Sequence, residues 1–327
     1  MKVPEAVKTT LKFAFSFAVI AWLAKSGRFD LRQLKTLFTP GLIAGCTGFT
    51  FVNLALCNER WLMLLRSQAN STSRAMAAKL SMIGMFFNFV IPGGVGGDFI
   101  KGYYIARENH DARMHSVVSV AMDRLIGLFT MLIMALMAML VDWVLVQSHK
   151  ELVGLFLFLG CVFLAFCVFW AVIFSRRISS APWLVGLLHK LPKGQELNKL
   201  LSSLSTYSLR KDLLFKALLF SFLAQATTIA GFIFVGHSLG FEVSANTYFF
   251  VVPVGLMVTA IPLAPGGIGV GQAAFYYLFE LILVDKNLAS TLGTSAISAL
   301  QIYQLLFGLS GAWFYVTMKK RIPHAVA

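Results

Sequence analysis

Between Phe86 and Lys101 an apolar run is cut by Pro92 and by Gly93, Gly94, Gly96 and Gly97, and Asp98 and Lys101 follow at once. Proline removes a backbone donor and clashes with the preceding turn, while glycine reaches backbone angles closed to other residues. In hydrocarbon such a break survives only where protein covers it or where it lines a wet cavity. The chain repeats the device from Ile261 to Gln272, where Pro262, Pro265, Gly266, Gly267, Gly269 and Gly271 fall within twelve residues. One broken segment in each half is the pattern of a transporter built from repeats.

With 58% hydrophobic and 13% charged residues the chain reads as an all-α integral membrane protein, and its apolar segments leave no room for a soluble catalytic domain. The net charge of +14 does not indicate nucleic acid, because the basic residues lie between apolar runs. They read instead as cytoplasmic loops facing anionic lipid. Cys46, Cys57, Cys161 and Cys167 lie in or beside apolar segments without metal spacing or a disulfide framework, so packing is their expected role. No cofactor and no metal site is expected.

Six full spans are expected at about Leu11–Ala24, Pro40–Cys57, Leu125–Val146, Leu152–Phe174, Leu213–Gly236 and Ala296–Met318. Glu59, Arg60, Arg66, Arg74 and Lys79 read as a basic connection, and His110–Arg124 as a surface or cavity helix. The stretch of about 175–212 is an amphipathic connection. Its Leu197, Leu200, Leu201, Leu204 and Tyr207 recur at helical spacing, which suggests an interfacial helix on an anionic leaflet. Basic residues concentrate in 175–216 and at Lys319–Arg321, which places both of these, and the N-terminus, in the cytoplasm. For the ends to match, 76–107 and 247–284 must each return to the face they enter. The result is two Pro-Gly-broken re-entrant hairpins in an inverted-repeat arrangement, with half-repeats of about 1–150 and 151–327 in a single transmembrane domain. Eight full crossings are the alternative.

The motif from Pro92 to Lys101, the Asp123-Arg124-Leu125 triplet and the motif from Pro265 to Gln272 together resemble the lysylphosphatidylglycerol synthase transmembrane family, over nearly the whole chain. That family includes the flippase half of bacterial multiple-peptide-resistance proteins and standalone YbhN-like proteins without the soluble synthase domain, which this chain is closest to in form. The resemblance implies a bacterial inner-membrane lipid translocase with a cavity between broken helices, and no aminoacyl transfer. Two departures stand out. The second motif usually ends on glutamate, here Gln272, and relatives often carry an acid where this chain has Gly127. Both remove negative charge from the pathway and speak against a cationic aminoacyl-lipid.

The expected substrate-binding residues are Asp98, Lys101, Asp123, Arg124, Gln272, Gly94, Gly97, Gly267, Gly269 and Tyr104, with Pro92 and Pro265 as structural breaks. Ionisable groups at membrane depth are costly and tend to line a pathway. Lys101 and the amides after the glycines are suited to a lipid phosphate, with Asp98 balancing Lys101 or meeting a cationic headgroup. Arg124 offers a phosphate fork braced by Asp123. The plainer readings are an N-cap for Asp98, a snorkelling arginine for Arg124, a helix cap for Gln272 and aromatic packing for Tyr103, Tyr104, Tyr276 and Tyr277. Gln225, Gln301 and Gln304 are expected to bond between helices. The leading function is movement of a phospholipid or lipid-linked headgroup, with anionic lipids at the cytoplasmic face and a possible homo-oligomer. The alternative is a membrane enzyme or accessory subunit acting on lipid-linked sugars or phosphates.

Overall fold

The computed structural model describes residues 18–23, 38–68, 72–91, 96–108, 113–175, 194–261, 263–283 and 285–321, with the single positions 14 and 25. The helices are α1 (Pro40–Arg66), α2 (Arg74–Val90), α3 (Gly96–Glu108), α4 (Arg113–Val141), α5 (Trp143–Ser148), α6 (Lys150–Phe174), α7 (Gly194–Ser205), α8 (Lys211–Ser238), α9 (Ala245–Thr259), α10 (Val270–Glu280) and α11 (Lys286–Arg321). No strand occurs among the described residues, and the protein is an all-α integral membrane protein. Five described stretches are long and apolar enough to cross a bilayer: Pro40–Arg66, Met114–Val141, Lys150–Phe174, Lys211–Ser238 and Leu288–Met318. The expected first span lies largely outside the described residues, as do Pro92, Gly93 and Gly94.

Both broken segments fold back on themselves. Ser73 caps the start of α2 by accepting from the Met76 amide. After the break α3 returns along α2, so that Asn88 Oδ1 accepts from the Gly97 amide at 2.9 Å and Lys101 lies across Gly84. In the second segment α9 and α10 meet in the same way, with Gly255 against the Phe275 ring and Gly271 against Thr259. The four arms hold 17, 13, 15 and 11 residues, each short of the ~20 a crossing helix needs.

The 36 residues of α11 make a rod about 54 Å long that joins the two hairpins. Its first half packs on α10, where Gly293 sits 2.8 Å in Cβ reach of the Phe275 carbonyl oxygen. Its second half packs on α2, with Gly308 beside Phe86, Gly311 on the Met82 carbonyl and Lys79 over the Phe314 ring. The hairpins therefore occupy successive halves of α11, and their tips meet where the Phe89 ring covers Gly266.

Several boundaries differ from the sequence expectation. The first basic connection is largely helix: α1 runs on through Glu59 and Arg60 to Arg66. Residues 113–124 continue into the next span as one helix, α4, because Val118, Met122 and Ile126 share a buried face. That span stops at Val141, and Asp142 separates it from α5. Of the expected stripe, Leu200, Leu201, Leu204 and Tyr207 pack on protein, with Leu64, Val118, Ile173 and Ala217, in place of the lipid surface expected for them. Tyr207 donates to the Leu64 carbonyl at 3.1 Å, and burial pushes its phenol up to about 12.

Gly97 and Gly311 lie where any Cβ would strike backbone, whereas Gly160 on α6 faces open space. Overpacking of this kind costs about 1–3 kcal/mol. Gly97→Ala and Gly311→Ala are expected to lower the thermal unfolding midpoint of the detergent-solubilised protein clearly, while Gly160→Ala leaves it unchanged.

Candidate functional site

Helices α1 and α8 pack antiparallel along a polar seam. Thr50, Asn53, Cys57 and Arg60 recur every three or four residues and so share one face of α1. Asn53 Nδ2 donates to the Ala224 carbonyl at 2.8 Å and to Thr228 Oγ1 at 2.9 Å. At the end of the seam Arg60 is clamped. Its Nε donates to Asp123 Oδ1 at 2.7 Å, its Nη2 to Asp123 Oδ2 at 3.0 Å, and its Nη1 to Ser221 Oγ at 2.8 Å. Ser221 is bonded in turn to Thr130 at 2.6 Å. The side chains are 7% and 14% exposed, and the two-pronged geometry is the one a guanidinium–carboxylate pair needs to repay its desolvation.

The next residue on α4 reaches elsewhere. Arg124 pairs with Asp98 at the start of α3, so neighbouring residues of one helix hold two different partners. Here the Arg124 side chain is 43% exposed, and a pair so open to solvent contributes on the order of 0.2–1 kcal/mol. Lys101, one turn along α3, places its ammonium 4.9 Å from the centre of the Trp61 ring. It makes no ion pair or hydrogen bond with any described residue. Arg60, Lys101 and Arg124 thus face Asp98 and Asp123, three cations against two carboxylates, beside the break of the first hairpin, where α3 begins. Gly127 opens beside this group: a Cβ there would stand 3.5 Å from Arg60 Nη1.

The second break is organised by hydrogen bonding without charge. Gly266, Gly267 and Gly269 have φ of 57°, 68° and 86°, which lets the chain turn sharply into α10. Gln272 is 3% exposed. Its Oε1 accepts from the Gly269 amide at 2.7 Å, and its Nε2 donates to Ser298 Oγ at 3.1 Å and Gln301 Oε1 at 2.8 Å. Gln301 Nε2 donates to the Gly266 carbonyl at 3.2 Å. The Gly269 amide is thus met from α10 and the Gly266 carbonyl from α11.

A family model described as the lysylphosphatidylglycerol synthase TM region matches residues 9–310. The chain belongs to the lysylphosphatidylglycerol synthase transmembrane family. No curated protein and no solved structure matches it. The matched stretch takes in both hairpins, the charged cluster and most of α11, so the family region and the site coincide.

Of the residues expected at a site, Asp98, Lys101, Asp123 and Arg124 come together around the first hairpin, but with other partners than the sequence suggested. Asp123 braces Arg60 and not Arg124, and Asp98 holds Arg124 and not Lys101. Gly97 packs on Gly84, while Gly267, Gly269, Pro265 and Gln272 build the second break. Tyr104 lies edge-on to Tyr103 and Tyr315, 5.6 and 6.3 Å between ring centres. Sequence reasoning missed Arg60, Asn53 and Asn88. The signal was the polar repeat of α1 running into Arg60, which a span ended at Cys57 cuts off.

Removing one partner of a buried pair leaves the other charge stranded, at a cost of roughly 3–5 kcal/mol, whereas replacing both by apolar groups can be neutral. Arg60→Ala or Asp123→Ala alone is expected to abolish recovery of folded protein. Arg60→Met with Asp123→Leu is expected to restore it, read by size-exclusion profile and unfolding midpoint.

Proposed function

We propose that this protein is a lipid translocase of the bacterial inner membrane, carrying an anionic phospholipid or lipid-linked headgroup past the charged cluster while the tails stay in the bilayer. The observation that carries the reading is the Lys101 ammonium, without an ion pair among the described residues, within a cluster of three cations and two carboxylates set beside the break of the first helix pair. A phosphate is the group such a surplus accommodates, and Arg124 and Lys101 are the two cations free enough of burial to meet it. In this reading the hairpins enter the membrane from opposite faces as an inverted pair, with tips meeting at Phe89 and Gly266, and alternating exposure of those tips provides the gate. The placing of 175–216 and the C-terminus in the cytoplasm then puts the charged cluster in the cytoplasmic half.

The enzyme alternative needs carboxylates available for a metal or for general-base work. Asp98 and Asp123 are both engaged by arginines, which favours transport.

The test is headgroup-labelled phospholipid in proteoliposomes, comparing anionic with zwitterionic labels. Lys101→Ala and Lys101→Glu are expected to slow anionic headgroup movement at least tenfold with folding intact; undiminished movement would refute the reading. Gly127→Asp sets a carboxylate beside Arg60 and makes the count three against three. It is expected to reduce the preference for anionic over zwitterionic headgroups at least fivefold.

A further inference from the structure

An apolar cleft lies away from the charges. It is partly open, between α1, α2, α8 and α11. Phe49, Met85, Phe232, Val235, Ala296 and Leu300 give it apolar walls. No carboxylate, lysine or arginine lines it. Thr50 and Gln304 line it too, and neither side chain has a hydrogen-bond partner among the described residues. Gln304 was expected to bond between helices and does not.

The cavity also lies in line with the charged cluster. Asn53, on its wall, and Arg60 stand on one face of α1, seven residues and about 10 Å of helix rise apart. We propose that this cleft holds one acyl chain of a diacyl phospholipid, with Thr50 and Gln304 donating to the ester carbonyl at the head of the chain. A hydrocarbon chain fits the uncharged apolar walls, an ester carbonyl needs donors and offers no charge, and the phosphate of the same molecule then lies toward Arg124 and Lys101. The inference rests on the translocase reading, which it deepens by naming the tail and linkage subsite.

The test uses purified protein in vesicles of phosphatidylglycerol and phosphatidylcholine carrying a phosphatidylglycerol probe with a diazirine in its acyl chain. A parallel arm carries a diazirine fatty acid. Photolysis and peptide mapping are expected to place the phospholipid label on the segments holding Phe49–Asn53, Met85 and Leu300–Gln304. Thr50→Val with Gln304→Leu, both close in size to the native residues, is expected to cut that labelling at least threefold. Labels confined to exposed residues such as Leu157, Leu164 and Leu223 would overturn the proposal. So would labelling of the cleft by the fatty acid alone, or full labelling of the double variant. Labelled cleft residues in a protein that moves no headgroup leave this subsite standing and remove the translocase reading. Headgroup movement without cleft labelling does the reverse.

Discussion

A backbone broken inside an apolar medium has to recover its hydrogen bonds from protein, since each group left open there costs several kcal/mol. Much of the fold answers that requirement. At the second break the open amide of Gly269 and carbonyl of Gly266 are met by Gln272 and Gln301, and Gln301 stands on α11. At the first break Asn88, the last polar residue of α2, meets the Gly97 amide at the start of α3. The glycines on α11 follow from the same need. Gly293, Gly308 and Gly311 let hairpin backbones approach the rod closely enough for it to cover both tips.

Electrostatics then separates a fixed part from an exchangeable one. Arg60 and Asp123 are buried and joined by two hydrogen bonds, with Ser221 and Thr130 tying the pair to α8 and α4. Breaking it strands a charge, so it behaves as scaffold. Asp98 and Arg124 form a pair with a half-exposed guanidinium, worth little on balance. In the proposed translocase an incoming phosphate would take the place of Asp98 at Arg124 for a small loss. Lys101, whose ammonium lies over the Trp61 face, would meet the same anion.

The parts legible in the sequence were those written in short-range chemistry. Proline and glycine clusters announced both breaks because no other residues serve there, and long apolar runs announced α6, α8 and α11. Gln272 three residues after Gly269 is a local capping signal, and the capping reading of it matched the geometry. What the sequence concealed was partner choice over long separations. Asp98 and Arg124 are 26 residues apart and Arg60 and Asp123 are 63 apart, while adjacency made Asp123 look like the brace of Arg124. On a helix adjacent side chains diverge by about 100°, so neighbours rarely serve one another. The apolar stripe of α7 was equally ambiguous, because periodicity reveals an apolar face without saying whether lipid or protein covers it.

That divergence has a mechanical consequence. Asp123 fixes α4 to α1, and Arg124, one residue on, fixes α4 to the first hairpin through Asp98. The strong link joins two spans and the weak link holds the hairpin. If a headgroup phosphate claims Arg124, the hairpin loses its ion pair to α4 while the α1–α4 frame keeps its own. Binding energy from one anion is then directed at the element with the lowest cost of movement, whose tip rests on Gly266 of the second hairpin through Phe89. A ligand can shift a conformational balance only by its difference in affinity for the two states. In the proposed translocase that difference would arise at a single side chain, with Arg124 holding a carboxylate of the protein in one state and a phosphate of the lipid in the other.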